Sequence, residues 1–249
     1  MKKISIVLCT FNEANYIAET IKFIFNNLRN FELIIVDDNS RDGTIEIIKN
    51  LKKDYSFKFI LRMYERGLAS AQKKGFEVAE GEYVGTIDVN SRDQILYFEK
   101  LRTELDQGNY FSVLSRYING GGDERIFLRS FASKTINKFC RLFLGSSFND
   151  YTSGIFLTRK DTLLDNKDII TGYSEWVMEY IYRLKKLNLK LSEIPYIQKR
   201  DANDIQSKSF PNLITFFYLG SKYFLRIFIT LSRSWNLIIY IVSTVNLLV

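Results

Sequence analysis

The chain contains no histidine and only two cysteines and two prolines in 249 residues. Without histidine there is no Ser-His-Asp or Cys-His catalysis, no HExxH metalloprotease centre and no imidazole-held haem. Cys9 and Cys140 are too few and too far apart for a disulfide framework or a cysteine zinc site. Thirteen glycines beside the two prolines exclude collagen-like and low-complexity classes, and 46% hydrophobic against 25% charged residues excludes a disordered chain. Catalysis here must use carboxylates, lysine, arginine, hydroxyls or a hard metal ion.

What is present is a basic chain, with Lys+Arg 35 against Asp+Glu 28 and a net charge of +7. The excess is uneven: Lys199, Arg200, Lys208, Lys222, Arg226 and Arg233 near the C-terminus face only Asp201 and Asp204. The same stretch is the most apolar, so an anionic membrane surface is the expected partner and nucleic acid is not. The length suits one large domain with a small appendage, divided here as residues 1–209 and 210–249. Met1-Lys2-Lys3 precedes a short apolar run and then Thr10–Glu13, which reads as a buried strand rather than a secretory signal.

Short β-branched runs alternate with helix-like spacing. Strands are expected at Ile4–Cys9, Leu33–Val36, Lys58–Leu61 and Tyr83–Ile87, with helices at Ala14–Leu28, Gly43–Lys53 and Leu68–Ala79. This pattern implies βα units and a mostly parallel sheet, whose ligands bind beyond the C-terminal strand ends. Polar clusters sit at those ends: Thr10–Glu13, Asp37–Thr44 and Asp88–Asp93. A second region offers strands at Phe111–Leu114, Ile155–Leu157 and Leu191–Tyr196, with helices at Leu128–Leu144 and Tyr173–Leu187. On the first of these helices Arg129, Ser133 and Asn137 form one i, i+4 stripe.

Leu213–Leu231 reads as an aromatic-rich helix on which Lys222 and Arg226, with Arg233 beyond, fall within about 40° of one another at 100° per residue. Such a basic stripe on an apolar helix suggests an interfacial helix. Trp235–Val249 is uncharged but shorter than the roughly 20 residues of a perpendicular span. A helix hairpin packed on the core is the alternative.

Five segments, in order, carry a family resemblance. VLCTFNEANYI (7–17), VDDNSRDGT (36–44), RMYERGLASAQKKGFEVAEG (62–81), SRYINGGG (115–122) and DYTSG (150–154) resemble the motifs of family 2 glycosyltransferases of the GT-A fold, nearest the polyprenol-phosphate (dolichol-phosphate mannose synthase-like) branch. The resemblance runs from about Ile4 to Lys208. It implies a Rossmann-like α/β domain and inverting transfer of a hexosyl group from a nucleoside diphosphate sugar to polyprenyl phosphate, with the catalytic domain on the cytoplasmic side of a membrane.

The residue chemistry is consistent with that. A carboxylate in a strand-end loop can accept from base N–H and ribose hydroxyl groups. Asp38 is the first choice for the base, beside Thr10, Phe11 and Glu13, while Asp37 is either a ligand or a turn-capping residue. Arg62 is a candidate clamp for base or phosphate. The family's Asp-x-Asp metal motif reads Asp88-Val89-Asn90 here, so a Mg2+ or Mn2+ ion would have one carboxylate, one amide oxygen and the diphosphate. This leaves three readings: weaker metal binding with Asp93 helping, Arg92 supplying part of the positive charge, or a catalytically lapsed nucleotide-binding membrane scaffold. A lipid phosphate needs no general base, being mostly dianionic above a second pKa of roughly 6. It needs cations and donors, and Arg116, Arg129 and Ser133 match the branch's acceptor-phosphate positions. Asp150, with Thr152 and Ser153, is expected to border the sugar, and Arg200, Ser207 and Lys208 resemble an R…SK element near the diphosphate. Transfer to a saccharide hydroxyl in cell-surface glycan synthesis is the same-class alternative, and a homo-oligomer is compatible with the chain.

Overall fold

The computed structural model describes residues 2–200 and 213–246, with side chains in the last helix described through Ser234. Its centre is a seven-stranded sheet in the order β3-β2-β1-β4-β7-β5-β8. The strands are β1 (Ile4–Thr10), β2 (Phe31–Asp37), β3 (Lys58–Leu61), β4 (Tyr83–Thr86), β5 (Phe111–Ser115), β7 (Phe156–Arg159) and β8 (Leu191–Pro195). β6 (Gly122–Asp123) and β9 (Ile197–Gln198) pair beside it. Only β7 runs antiparallel to its sheet neighbours, β4 and β5. It therefore begins at the edge where the parallel strands end.

The β1 sequence ISIVLCT is almost wholly buried because helices cover both faces of the sheet. The period of two divides it: Ile4, Ile6 and Leu8 enter one core layer with α1 (Ile17–Asn27) and α4 (Phe98–Asp106). Val7 enters the other with α3 (Leu68–Val78), α5 (Phe127–Leu144) and α7 (Trp176–Lys186). Gly75 lets α3 cross β1 closely, since a Cβ there would meet Val7 Cγ1 at 2.4 Å. The remaining helices are α2 (Thr44–Leu51), α6 (Lys160–Asp165) and α8 (Leu213–Asn246).

The expected strands and the five first-listed helices are present, with ends shifted by a few residues. Two expectations need correction. The tail is one continuous helix through Asn246, neither a hairpin nor a helix ending at Leu231. Two cations of its basic stripe turn to the protein: Arg226 and Arg233 pair with the buried Glu179 of α7, while Lys222 lies over the Tyr218 ring. The exposed residues of α8 include the apolar Ile214, Phe217, Leu225 and Phe228.

Candidate active site

The chemistry-bearing residues gather beyond the C-terminal ends of β1, β2, β4 and β5. The first two loops interlock. Asn12 N donates to Ser40 Oγ at 2.8 Å, Arg41 N to Asn12 Oδ1 at 2.9 Å and Glu13 N to Thr44 Oγ1 at 2.8 Å. Asn12 and Asn39 take positive φ (55° and 58°), a conformation that asparagine tolerates better than most residues. Asp37 is fully buried and builds the turn, accepting from Thr10 Oγ1 at 2.7 Å and from Ser40 N and Oγ at 2.8 and 2.6 Å. Of the two readings of Asp37, the structure gives turn capping.

Asp38 is buried and accepts from Arg62 Nε at 2.7 Å and Gly67 N at 2.8 Å. Arg62 is itself buried. Its other contacts are Nη1 to Glu65 and Ser70, and Nη2 to Gly67 O and Asp38. Four hydrogen bonds and a close ion pair to Asp38 thus occupy the guanidinium with protein acceptors. Arg62 orients Asp38 and closes the 65–70 turn, which corrects the clamp expected of it. Two neighbours were not anticipated. Arg66 stacks over the Phe11 ring with its guanidinium carbon 4.5 Å from the centroid, and Tyr64 is 99% exposed in the same loop. Only the run of aromatic and cationic residues in RMYER hinted at this.

Asp88 and Asn90 are exposed on the turn after β4. Gln94 Oε1 accepts from Asp88 N at 3.3 Å and fixes this turn. Arg92 points elsewhere: it pairs with Glu19 of α1 and lies over Phe23, so it is not a substitute for a metal at Asp88. Among the described residues no three carboxylate or thiol groups cluster to hold a metal. One carboxylate and one amide oxygen, both hard donors on an open turn, fit a Mg2+ or Mn2+ ion that shares its shell with a diphosphate; they do not make a cage alone.

On the other side of the site Arg116 follows β5 and is buried against Asp150. Its Nε and Nη2 donate to the two Asp150 oxygens at 2.8 Å each, Nη2 also to Thr152 Oγ1 at 2.8 Å, and Nη1 to Gln198 Oε1 at 3.2 Å. One Nη1 hydrogen remains beyond these contacts among the described residues. Burial opposes ionisation of Asp150, but the Arg116 charge and hydrogen bonds outweigh it and hold the carboxyl below the usual range. The α5 stripe meets the same cluster: Ser133 Oγ lies 3.1 Å from Thr152 Oγ1, and Asn137 Nδ2 donates to Thr152 Oγ1 at 2.8 Å while its Oδ1 accepts from Tyr151 N at 2.7 Å. Arg129 stands one turn earlier on that helix face, half-buried. Asp150 thus faces Arg116 rather than open space.

Tyr173, just before α7, was missed from the sequence. Burial raises its phenol pKa, and it stands close enough to Tyr223, Asp88, Arg129 and Glu13 for their charges to act on it. Arg200 is exposed beyond β9. Ser207 and Lys208 lie outside the described residues.

A mixed sheet with one reversed strand, and an edge between two interlocked loops and an Asp-x-Asn turn, are the features of the GT-A class of α/β domain. The family model for glycosyl transferase family 2 matches residues 5–165. The chain belongs to that family. It is 30% identical over 215 residues to a dolichol-phosphate mannosyltransferase of Pyrococcus furiosus, covering 83% of this chain and 60% of that one. It is 39% identical over 116 residues to a cholesterol galactosyltransferase of Borreliella burgdorferi, covering 46% of this chain and 32% of that one. The chain therefore spans less than two thirds of the length of these relatives. Among solved structures, glucosyl-3-phosphoglycerate synthase of Mycobacterium tuberculosis, in complex with Mn2+, UDP and phosphoglyceric acid, superposes with a TM-score of 0.69 at 14% identity, covering 92% of this chain and 78% of that one. That likeness concerns the fold.

Proposed function

We propose that the chain is an inverting glycosyltransferase that moves a hexosyl group from a nucleoside diphosphate sugar to polyprenyl phosphate at a membrane surface. The observation that carries this reading is the two-sidedness of α5. Its inner face brings Ser133 and Asn137 to the Arg116–Asp150–Thr152 cluster, with Arg129 one turn earlier on the same face. Its outer face exposes Phe127, Phe131 and Leu142 together with Lys134, Lys138 and Arg141. A phosphate held inside and a lipid tail outside is the arrangement a polyprenyl phosphate requires.

In this reading Asp38 accepts from the base, with Phe11, Glu13 and the Thr10 turn beside it. Asp88 and Asn90 would hold a Mg2+ or Mn2+ ion with the diphosphate, and the ion would neutralise the charge that grows on the leaving group. Arg129, the remaining Arg116 N–H and Ser133 position the acceptor phosphate. One of its oxygens attacks the anomeric carbon, the bond from that carbon to the diphosphate oxygen breaks, and the nucleoside diphosphate leaves with the electron pair. No proton has to move, which suits a chain without histidine. The dolichol-phosphate relative supports the acceptor class.

Membrane contact fits the apolar outer faces of α5 and α8. Ile214–Ser234 is long and apolar enough to cross a bilayer, with a mean hydropathy of 1.2. Its ion pairs to Glu179 instead favour a helix lying along the domain. Residues 210–249 are then the membrane-associated part and, on the family resemblance alone, the catalytic domain is cytoplasmic.

The test is transfer from radiolabelled UDP- and GDP-hexoses to polyprenyl phosphate, with Mn2+ and with EDTA. Arg129→Ala should lower transfer by about 10–100-fold, the cost of one charged hydrogen-bond partner, while nucleotide binding is unchanged. Normal transfer by that variant, or transfer only to saccharide hydroxyls, sinks the acceptor assignment.

A further inference from the structure

An apolar tail helix that serves only as an anchor has no reason to bury a guanidinium. Burying a charge is costly unless every partner is in place, and a well-packed apolar side chain would dock the helix equally well. Arg226 of α8 is nevertheless 5% exposed. Its Nε lies 3.0 Å from Glu179 Oε2, an ion pair off hydrogen-bond alignment. The two ends of its fork go elsewhere: Nη1 donates to Thr171 Oγ1 at 3.0 Å and Nη2 to the Ile169 carbonyl.

One turn earlier on the same face, the Tyr223 hydroxyl meets Ser174 Oγ at 2.5 Å. Burial pushes this phenol up to about 12, the Ser174 hydrogen bond opposing, and the nearby Glu175, Arg116 and Arg125 charges also reach it. The contacts at Ile169, Thr171 and Ser174 bracket a segment without regular structure between the short 3-10 turn Lys167–Ile169 and α7. Within it Gly172 has φ +85°, and a Cβ there would meet Glu175 Oε1 at 2.0 Å. Glu175 Oε2 accepts from Tyr173 N at 2.9 Å. The residue so presented is Tyr173, which is within electrostatic reach of Asp88, Arg129 and Glu13.

We propose that α8 is part of the active site's support: Arg226 and Tyr223 are positioning residues that hold the 169–175 segment so that Tyr173 closes the site between the Asp88 turn and Arg129. This rests on the glycosyl-transfer reading above. The apolar residues Phe217, Leu225 and Phe228 lie on the face of α8 away from Arg226 and Tyr223, so a helix seated on a bilayer keeps its inner face on the segment.

Arg233 supplies the control. It also binds Glu179, with Nη1 at 3.0 Å from Oε2, but is not bonded to the 169–175 segment. The full chain is tested on phosphatidylcholine–phosphatidylglycerol vesicles containing polyprenyl phosphate. Arg226→Ala should lower kcat by about tenfold or more with donor KM and flotation unchanged, as expected for a lost charged hydrogen bond. Tyr223→Phe, which keeps the ring and loses the hydroxyl, should lower kcat by a smaller factor. Arg233→Ala, removing a half-exposed pair, should stay within about twofold. Hydrogen exchange at amides 169–175 should rise in Arg226→Ala and not in Arg233→Ala. Equal behaviour of the two arginine variants in kcat or in exchange overturns the proposal, because both then act only by docking α8. The exchange arm needs no acceptor: Arg226-dependent protection in a wild type that transfers no sugar overturns the polyprenyl-phosphate reading instead.

Discussion

At the scale of single residues, neighbouring carboxylates have separate duties. Asp37 and Asp38 are adjacent in sequence, yet one is locked inside the turn and the other is paired with the buried Arg62. Asp38→Ala should therefore abolish nucleoside diphosphate binding and also lower stability by about 3–5 kcal/mol, because it leaves the Arg62 guanidinium buried without its buried charge partner. Asp37→Ala should lower stability by about 1–3 kcal/mol, because it strands the Thr10 and Ser40 donors. Calorimetric titration beside thermal melts separates the two, and equal loss of binding at equal stability would refute the division. Asp150 makes a pH prediction. Its folded-state pKa is depressed, so its stabilising effect is complete above the unfolded value of about 3.9 and is lost as pH falls through the folded value. Asp150→Asn should thus cost about 3–5 kcal/mol at neutral pH by leaving Arg116 buried without its charge partner, and that difference should shrink in acid. Denaturant melts of both proteins from pH 7 to pH 3 are the measurement; a difference constant with pH would mean that the pair is not ionic.

At the scale of elements, α5 and α8 are two-faced helices packed side by side, with Phe139 5.1 Å from Phe224 and Phe143 6.3 Å from Phe228 between ring centroids. Their outward residues form one apolar surface with basic side chains on α5. Phe127→Ser with Phe131→Ser should reduce flotation with anionic vesicles without unfolding the domain, and Phe217→Ser with Phe228→Ser should add to the loss. Unchanged flotation in the fourfold variant would show that this surface does not meet lipid. Most strands were legible because a strand buried on both faces must be a continuous apolar run, as in ISIVLCT. The helix α4 was missed, although Phe98, Leu101 and Leu105 stand at helical spacing, because the polar Ser91–Asp93 turn before it drew the reading toward ligand chemistry. The direction of the α8 stripe was not legible. A row of cations on an apolar helix looks the same whether it faces water, lipid headgroups or a buried glutamate, and Glu179 is distant in sequence.

At the scale of the whole molecule, the candidate site is a meeting of two halves: the loops after β1, β2 and β4, and the Arg116–Asp150–Thr152 cluster from β5, α5 and the loop before β7. Motif order exposed both halves. The ion pair of Arg116 with Asp150 and that of Arg62 with Asp38 remained hidden, because sequence names donors and acceptors without pairing them. The reversed strand has a consequence for how the protein is made. β5 pairs only with β7 and β8, and β4 has β7 as its second neighbour. On the ribosome, β1 to β4 can fold early, but β5 has no sheet partner until residues 156–159 emerge. The intervening chain, residues 116–155 with α5 among them, must wait beside an open strand edge. Nascent chains arrested before residue 156 should be cleaved by protease within 111–150 while 4–86 resists, and those arrested well after 195 should be protected throughout. The half that carries the Arg116–Asp150 cluster is born later and depends on a late strand to join it to the rest.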